Sequence, residues 1–266
     1  MRANPVASAD LRASFSHAGA LRVWAVFLGA LALVLYAWWP RSDLAWHLRT
    51  ASPPQTFAAA AIALFFLTGY LNARAGAGEY APAGETALAD LVAHTPVSVA
   101  AVVAGRLFAG ALTILVQFLL GLPFLLAALG VSGVSAAVLP AIAAVVAVSA
   151  LAWRASALAL RLALPEHGVL RDVLLLAASA AYLAATLVAA PGLNPVAALI
   201  DLAGGRDRVL GVAGVPLPFY AVSAIIGMLV SAVAGIASWA TLWAARRRGA
   251  AVSGKVHERG GAAGPD

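Results

Sequence analysis

From Leu21 onward the chain alternates long, unbroken apolar runs with short polar breaks. The runs show neither the two-residue alternation of a half-buried strand nor the polar stripe of a soluble amphipathic helix. Six runs stand out, at about 21–39, 56–73, 99–129, 136–163, 169–190 and 219–245. Even the shortest holds 18 residues, and at ~1.5 Å per residue it reaches nearly across a hydrocarbon core of ~30 Å. The runs are continuously apolar and rich in Ala, Leu and Val, which suits helices, whereas a membrane barrel needs short strands of alternating polarity. The pattern predicts an all-α integral membrane protein with six transmembrane helices in one domain over 1–248. The Gly/Ala-rich polar remainder, 249–266, is expected to be a disordered cytoplasmic tail.

An even number of spans puts both termini on one side, and the arginines say which. With that side cytoplasmic, Arg2, Arg12, Arg22, Arg74, Arg106, Arg154, Arg161, Arg171, Arg246, Arg247, Arg248, Lys255 and Arg259 lie at or near it, and only Arg41, Arg49, Arg206 and Arg208 lie outside. This is a positive-inside bias, so the net charge of +6 reads as topology and not as nucleic-acid binding. The first run ends in Tyr36, Trp38, Trp39 and Pro40, where a cleaved signal peptide would end in small residues, so it reads as a retained span with its aromatic belt. Only 11% of residues are charged, against about 25% in soluble domains. The chain has no cysteine, which excludes disulfides and thiolate metal sites.

The polar breaks differ in kind. Between the second and third runs lies GEYAPAGETALADLVAHTPVS. Leu88, Leu91 and Val92 share one helical face there, and Thr86, Asp90 and His94 the opposite one. Gly84 can cap this helix, Glu85 complements its positive end, Pro96 stops it, and Ser98 can cap the next. The result is a short amphipathic helix on the cytoplasmic side. On the outer side, 41–55 is an irregular link with Pro53 and Pro54, 130–135 a tight turn, and 191–218 a longer connection. Within the last, Asn194 can cap and Pro195 opens a helix of about 9 residues that ends at Gly204 and Gly205. That is too short to span, so it should be re-entrant or lie along the interface.

Candidate chemistry is sparse. Gly130-Val131-Ser132-Gly133 looks like the nucleophile motif of rhomboid-type intramembrane serine proteases, but His17, His47, His94, His167 and His257 all fall outside the spans, so a small-residue turn is the plainer reading. Gly249 to Lys255 nearly matches a phosphate-binding loop but has Val256 where a hydroxyl is needed, with no strand before it. No acid falls in mid-span and no His/Glu cluster has metal spacing, which leaves ion-coupled transport and metal-dependent hydrolysis without support. Arg106 and Arg154 are the charges lying well inside the spans. Both are near enough to the cytoplasmic ends to snorkel, so anchoring is the plainer reading and a gating or transmission role the sharper one. Gly105, Gly110 and Gly121 permit close helix contact, and Pro123 a kink.

Glu85, Leu88, Leu91, Thr95-Pro96-Val97-Ser98 and Gly105-Arg106-Leu107 occur in an order that resembles the ABC-2 type permeases, the membrane subunits of type V ATP-binding-cassette exporters. Leu193-Asn194-Pro195 before the last span is similar to that family's L-N-P at its outer re-entrant segment. The chain departs from the family in GEYAPAGETA, which lacks the basic residue and Gly-Thr step of the usual E-R-E-x-G-T run, and in Arg106, where lysine is more frequent.

The resemblance implies a multi-pass protein of a bacterial-type inner membrane that moves a substrate outward, hydrolyses nothing itself and holds no cofactor. ATP and Mg would be bound by a separate ABC ATP-binding subunit, and a second permease copy would complete the complex. It makes Glu85, Thr86, Leu88, Asp90, Leu91, His94, Thr95 and Pro96 a coupling helix for that subunit. The acidic Glu85 and Asp90 suit a protein partner better than anionic headgroups. A polysaccharide-type R-Y-x-x-S-x-L-G signature is absent, which tilts the substrate toward drugs, peptides or lipids. The alternatives are a membrane anchor or assembly subunit that transports nothing and, more remotely, the intramembrane protease.

Overall fold

A computed structural model describes residues 4–16, 19–39, 55–78, 92, 96–165, 167–206, 208–212 and 214–260, the stretch 249–260 as backbone alone. Eight α-helices and one hairpin are laid out among these residues: α1 Pro5–Ser16, α2 Ala20–Ala37, α3 Gln55–Ala77, α4 Val99–Ser132, α5 Leu139–Ala163, α6 Gly168–Ala189, α7 Pro195–Ala203, β1 Val209–Val212, β2 Val215–Pro218 and α8 Phe219–Gly260. Six of them, α2 to α6 and α8, are long and apolar enough to cross a membrane, and the chain is an all-α multi-pass membrane protein. Each expected run coincides with one of these helices to within a few residues at its start. The last runs further than expected: helical backbone continues to Gly260, past the boundary placed at 248. Gly249 does not end it, because a lone glycine among Ala250, Ala251 and Val252 costs a helix only about 1 kcal/mol.

Local signals set the boundaries. The Ser98 side chain accepts from the Ala101 N–H and opens α4. The same helix ends at Gly133, whose φ of 68° is the left-handed cap that glycine adopts without strain. Ser135 then caps a single 3-10 turn, Ala136–Val138, leading into α5, so the connection at 130–135 is the tight turn expected. The Thr56 hydroxyl donates to the Trp38 carbonyl at 2.7 Å, which joins the facing ends of α2 and α3.

Helix α5 sits at the centre and packs most extensively on α8 and α3. The main apolar core joins Phe57, Leu64 and Phe65 of α3 with Phe27 and Leu31 of α2, Leu125 of α4, Ile142, Val145 and Val146 of α5, and Leu199 of α7. Close approach depends on small residues, as between membrane helices generally. A Cβ at Gly69 would overlap the Trp153 ring, and one at Gly121 would come within 2.6 Å of Leu64. A second core gathers Val92, Val99, Val102, Val103, Leu158 and Leu242 at one end of the bundle. At that end Asn4 bonds to Ala101 and Arg246 to Val97, both at the start of α4, and this is the terminal end of the bundle. Helix α6 is the outlier, with no buried residue.

The sequence pattern gave no warning of two elements. Helix α1 precedes the first apolar run. The hairpin pairs Val209 with Pro218 and Val212 with Val215 inside the long connection before α8. Its two-residue turn includes Gly214 at φ 84°, and both strands are edges, which is why Pro216 and Pro218 are tolerated.

Candidate functional site

The site begins with an Asn-Pro step. The Asn4 Oδ1 accepts from the Val6 N–H at 3.0 Å, which caps α1, and its Nδ2 donates to the Ala101 carbonyl of α4 at 2.7 Å. Pro5 fills the first helical position, where a missing N–H is harmless. Asn4, Ala7 and Asp10 follow at three-residue spacing and fall on one face, and Ala7 and Asp10 are the two buried residues of α1. That face lies on α4. Gly105 makes room for it, since a Cβ there would stand 2.9 Å from the Asn4 Nδ2.

Asp10 thereby enters the bundle. Arg106 Nη1 donates to its Oδ1, and Arg154 Nη2 donates to its Oδ2 at 2.7 Å. One carboxylate is thus held from both sides by guanidiniums on two different spans, α4 and α5, and such charge-assisted bonds are about twice as strong as neutral ones. The side chains of Arg154, Asp10 and Arg106 are 3%, 9% and 12% exposed. The Arg154 side chain crosses α4 at Gly110, where a Cβ would overlap its Cδ. Its other nitrogen, Nη1, lies 3.5 Å from the Asn72 Oδ1. Asn72 Nδ2 in turn donates to the Gln117 Oε1 at 2.6 Å and to the Thr68 carbonyl at 2.9 Å. Five polar side chains from α1, α3, α4 and α5 therefore form one buried network. Gln117 also borders a small cavity of about 20 Å³, room for about one water, whose other walls include Ser14, Trp24, Leu71 and Thr113.

This corrects the anchoring expectation for Arg106 and Arg154. Neither snorkels to an interface. Both turn inward because an acid from the chain's own N-terminal helix is there to meet them, and a paired charge is the form in which charge survives burial. Asp10 was passed over because it lies outside every span. The signal that could have found it is Asn4-Pro5, the same step as Asn194-Pro195.

Of the other candidates, the described Pro96, Asn194 and Pro195 lie apart from this network. Glu85, Thr86, Leu88, Asp90, Leu91, His94 and Thr95 fall outside the described residues. Val92, from the apolar face of the expected short helix, is helical and fully buried in the terminal-end core. Pro96 is exposed, and the next carbonyl, that of Val97, accepts from Arg246 Nη1 of α8 at 3.1 Å. At the far end, Asn194 caps α7 by accepting from the Val196 and Ala197 N–H groups at 2.8 and 3.1 Å. Its Nδ2 donates to the Leu183 carbonyl and the Thr186 hydroxyl of α6. Pro195 opens the helix, and its nine residues end at Gly204, with Gly205 left-handed at φ 63°. The helix is tucked into the bundle, with Leu199 and Ala203 in the main core.

No catalytic set accompanies these features among the described residues. Ser132 ends α4 at the far end, whereas His167 begins α6, one length of α5 away, or about 37 Å at 1.5 Å per residue. That separation removes His167 as a base for Ser132. Nor do the described residues hold a cluster of three or more His, Cys, Asp or Glu suited to a metal. What the arrangement does offer is a two-arginine fork that grips one carboxylate. No family model, curated protein or solved structure matches the chain, so any functional reading rests on the residues themselves.

Proposed function

We propose that this chain is the membrane permease subunit of an ATP-binding-cassette exporter, moving its substrate with ATP hydrolysed on a separate subunit. The observation that carries the reading is the elbow at Pro96-Val97-Ser98. In sequence it belongs to the run Thr95-Pro96-Val97-Ser98 followed by Gly105-Arg106-Leu107, in the order seen in ABC-2 permeases. In space it opens the 34-residue α4, its Val97 carbonyl is bonded by Arg246 of α8, and Val92 just before it packs with Leu158 of α5 and Leu242 of α8. A push on the polar segment ahead of the elbow therefore reaches three spans through direct contacts, as rigid-body switching requires.

In this reading the terminal end faces the cytoplasm, in keeping with the arginine bias of the loops. The segment 85–96 docks on an ABC ATP-binding subunit that carries ATP and Mg, α7 is a re-entrant segment on the outer side, and a second permease copy completes the complex in an inner membrane. Purification from its source membrane should recover an ATP-hydrolysing subunit, and Asp90→Arg should abolish stimulation of that ATPase by the membrane subunit. Recovery of the chain without any ATPase, or full stimulation by the Asp90→Arg variant, rejects the proposal. A complex that hydrolyses ATP but drives no flux into sealed vesicles returns the chain to the anchor class.

A further inference from the structure

We propose that the small cavity beside Gln117 is a binding site for a single structural water, which closes the buried network into a ring by joining Gln117 to Ser14 and Thr113. The amide orientations point to it. Asn72 Nδ2 donates both to the Thr68 carbonyl and to Gln117 Oε1, and Asn72 Oδ1 faces a donor of Arg154. Neither amide can be turned over without setting donor against donor or acceptor against acceptor. Gln117 is 2% exposed. With its oxygen committed to Asn72, its Nε2 has no protein partner among the described residues, and this nitrogen is the group that Gln117 offers to the cavity it lines. Buried polar groups of this kind are satisfied by ordered water wherever the protein supplies no acceptor.

The rest of the wall selects the ligand. Ser14 and Thr113 also line the cavity, and each spends its hydroxyl proton on its own helix. Ser14 Oγ donates to the Asp10 carbonyl at 3.0 Å, and Thr113 Oγ1 to the Ala109 carbonyl at 2.9 Å, so each has only lone pairs left to offer. The lining thus sets the Gln117 amide donor against two acceptor oxygens. An anion would be repelled by the oxygens and a cation by the amide hydrogens, whereas a water accepts from Gln117 and donates to Ser14 and Thr113. That makes three hydrogen bonds, about the usual number for a buried water. The volume of about 20 Å³ exceeds the ~10–15 Å³ that one water needs. Ala20, Val23, Leu71 and Ala75 make the wall otherwise apolar, and Trp24 closes it, backed by the Phe15 ring of α1 stacked on it at 5.5 Å. Through the water, Ser14 gives α1 a second tie to α4, one helical turn beyond Asp10. The site is the same whether the chain serves as a permease or an anchor, so this inference and the exporter reading can fail separately.

The test uses the full chain in phosphatidylcholine nanodiscs, isotope-labelled at its glutamine side-chain nitrogens and followed by nuclear magnetic resonance. Only Gln55 and Gln117 carry that label, and Gln55, exposed at the start of α3, reports contact with bulk solvent. At mildly acidic pH, where amide protons exchange slowly, the Gln117 Nε2 protons should show a rotating-frame cross-peak to water with the sign of a dipolar contact, the mark of a long-lived neighbour. Gln55 should show none. Ala75→Val fills the cavity and leaves all three polar groups in place, so the Gln117 cross-peak should be lost. Ala20→Val fills it from α2 and takes over should Ala75→Val fail to fold. Ser14→Ala and Thr113→Val, each removing one acceptor, should weaken the cross-peak. Absence of a dipolar cross-peak at Gln117 overturns the proposal, and so does one that keeps its full strength in the filled cavity, since that would mark the Thr113 hydroxyl and not a water.

Discussion

Two helices in this protein begin with the same step, Asn-Pro, and they are held in opposite ways. At Asn194-Pro195 the hydrogen bonds that fix α7 are close in sequence. Asn194 caps its own helix and bonds to Leu183 and Thr186, 11 and 8 residues away, and apolar faces do the rest. At Asn4-Pro5 the cap is just as local, but the helix is fixed by partners 96 and 144 residues away, Arg106 and Arg154. The far end is thus tied by neutral hydrogen bonds, burial and an ion pair between sequence neighbours, Arg208 and Asp201 at 3.6 Å, and the terminal end by charges drawn from distant spans. A cap tells where a helix starts. What the helix is for depends on which face it turns to the rest of the chain.

The largest effect should come from breaking the charged end. Arg154→Gln leaves the Asp10 carboxylate buried with one of its two guanidiniums gone, and loss of one partner of a buried pair costs about 3–5 kcal/mol, measurable as a reduced midpoint of unfolding in mixed micelles. Asp10→Asn should cost no less, about 3–5 kcal/mol, because it leaves two buried guanidiniums without their counter-charge. It should also raise hydrogen exchange throughout α1 while leaving α7 protected. If α1 stays protected in this variant, apolar contact holds it and the contrast between the two ends is lost.

Gly110→Ala probes the space through which Arg154 passes. Forcing a methyl against the Arg154 chain should cost about 1–3 kcal/mol, and the loss should be non-additive with Arg154→Gln, which two unrelated sites would not show. Smallest is Asn194→Ala, at about 1–2 kcal/mol for a lost cap. Its exchange signature should stay within α6 and α7. Spread of that signature to α1 would mean that the two ends are coupled.

The six long helices, the turn at Gly133, the cap at Ser98 and the whole of α7 were legible because each depends on residues near one another in sequence. Hydropathy and capping act over a few turns, and they were sufficient there. Asp10 was not legible, since an acid outside the spans reads as solvated until α1 is folded back onto Gly105. Nor was the inward turn of Arg106 and Arg154, because snorkelling and pairing are indistinguishable without the partner. The hairpin at 209–218 was missed for a smaller reason, its prolines, which argue against strands unless both strands are edges.

The docking of α1 onto α4 can be tested by cross-linking in a chain with no native cysteine. Asn4 Cγ lies 3.1 Å from where a Cβ at Gly105 would stand, so Asn4→Cys combined with Gly105→Cys brings two sulfurs within bonding reach. Oxidation in native membranes should give an intramolecular disulfide, protecting both positions from maleimide, and its yield should fall when Asp10→Asn is added. Two freely alkylated cysteines and no disulfide would contradict the seating of Asp10 between Arg106 and Arg154.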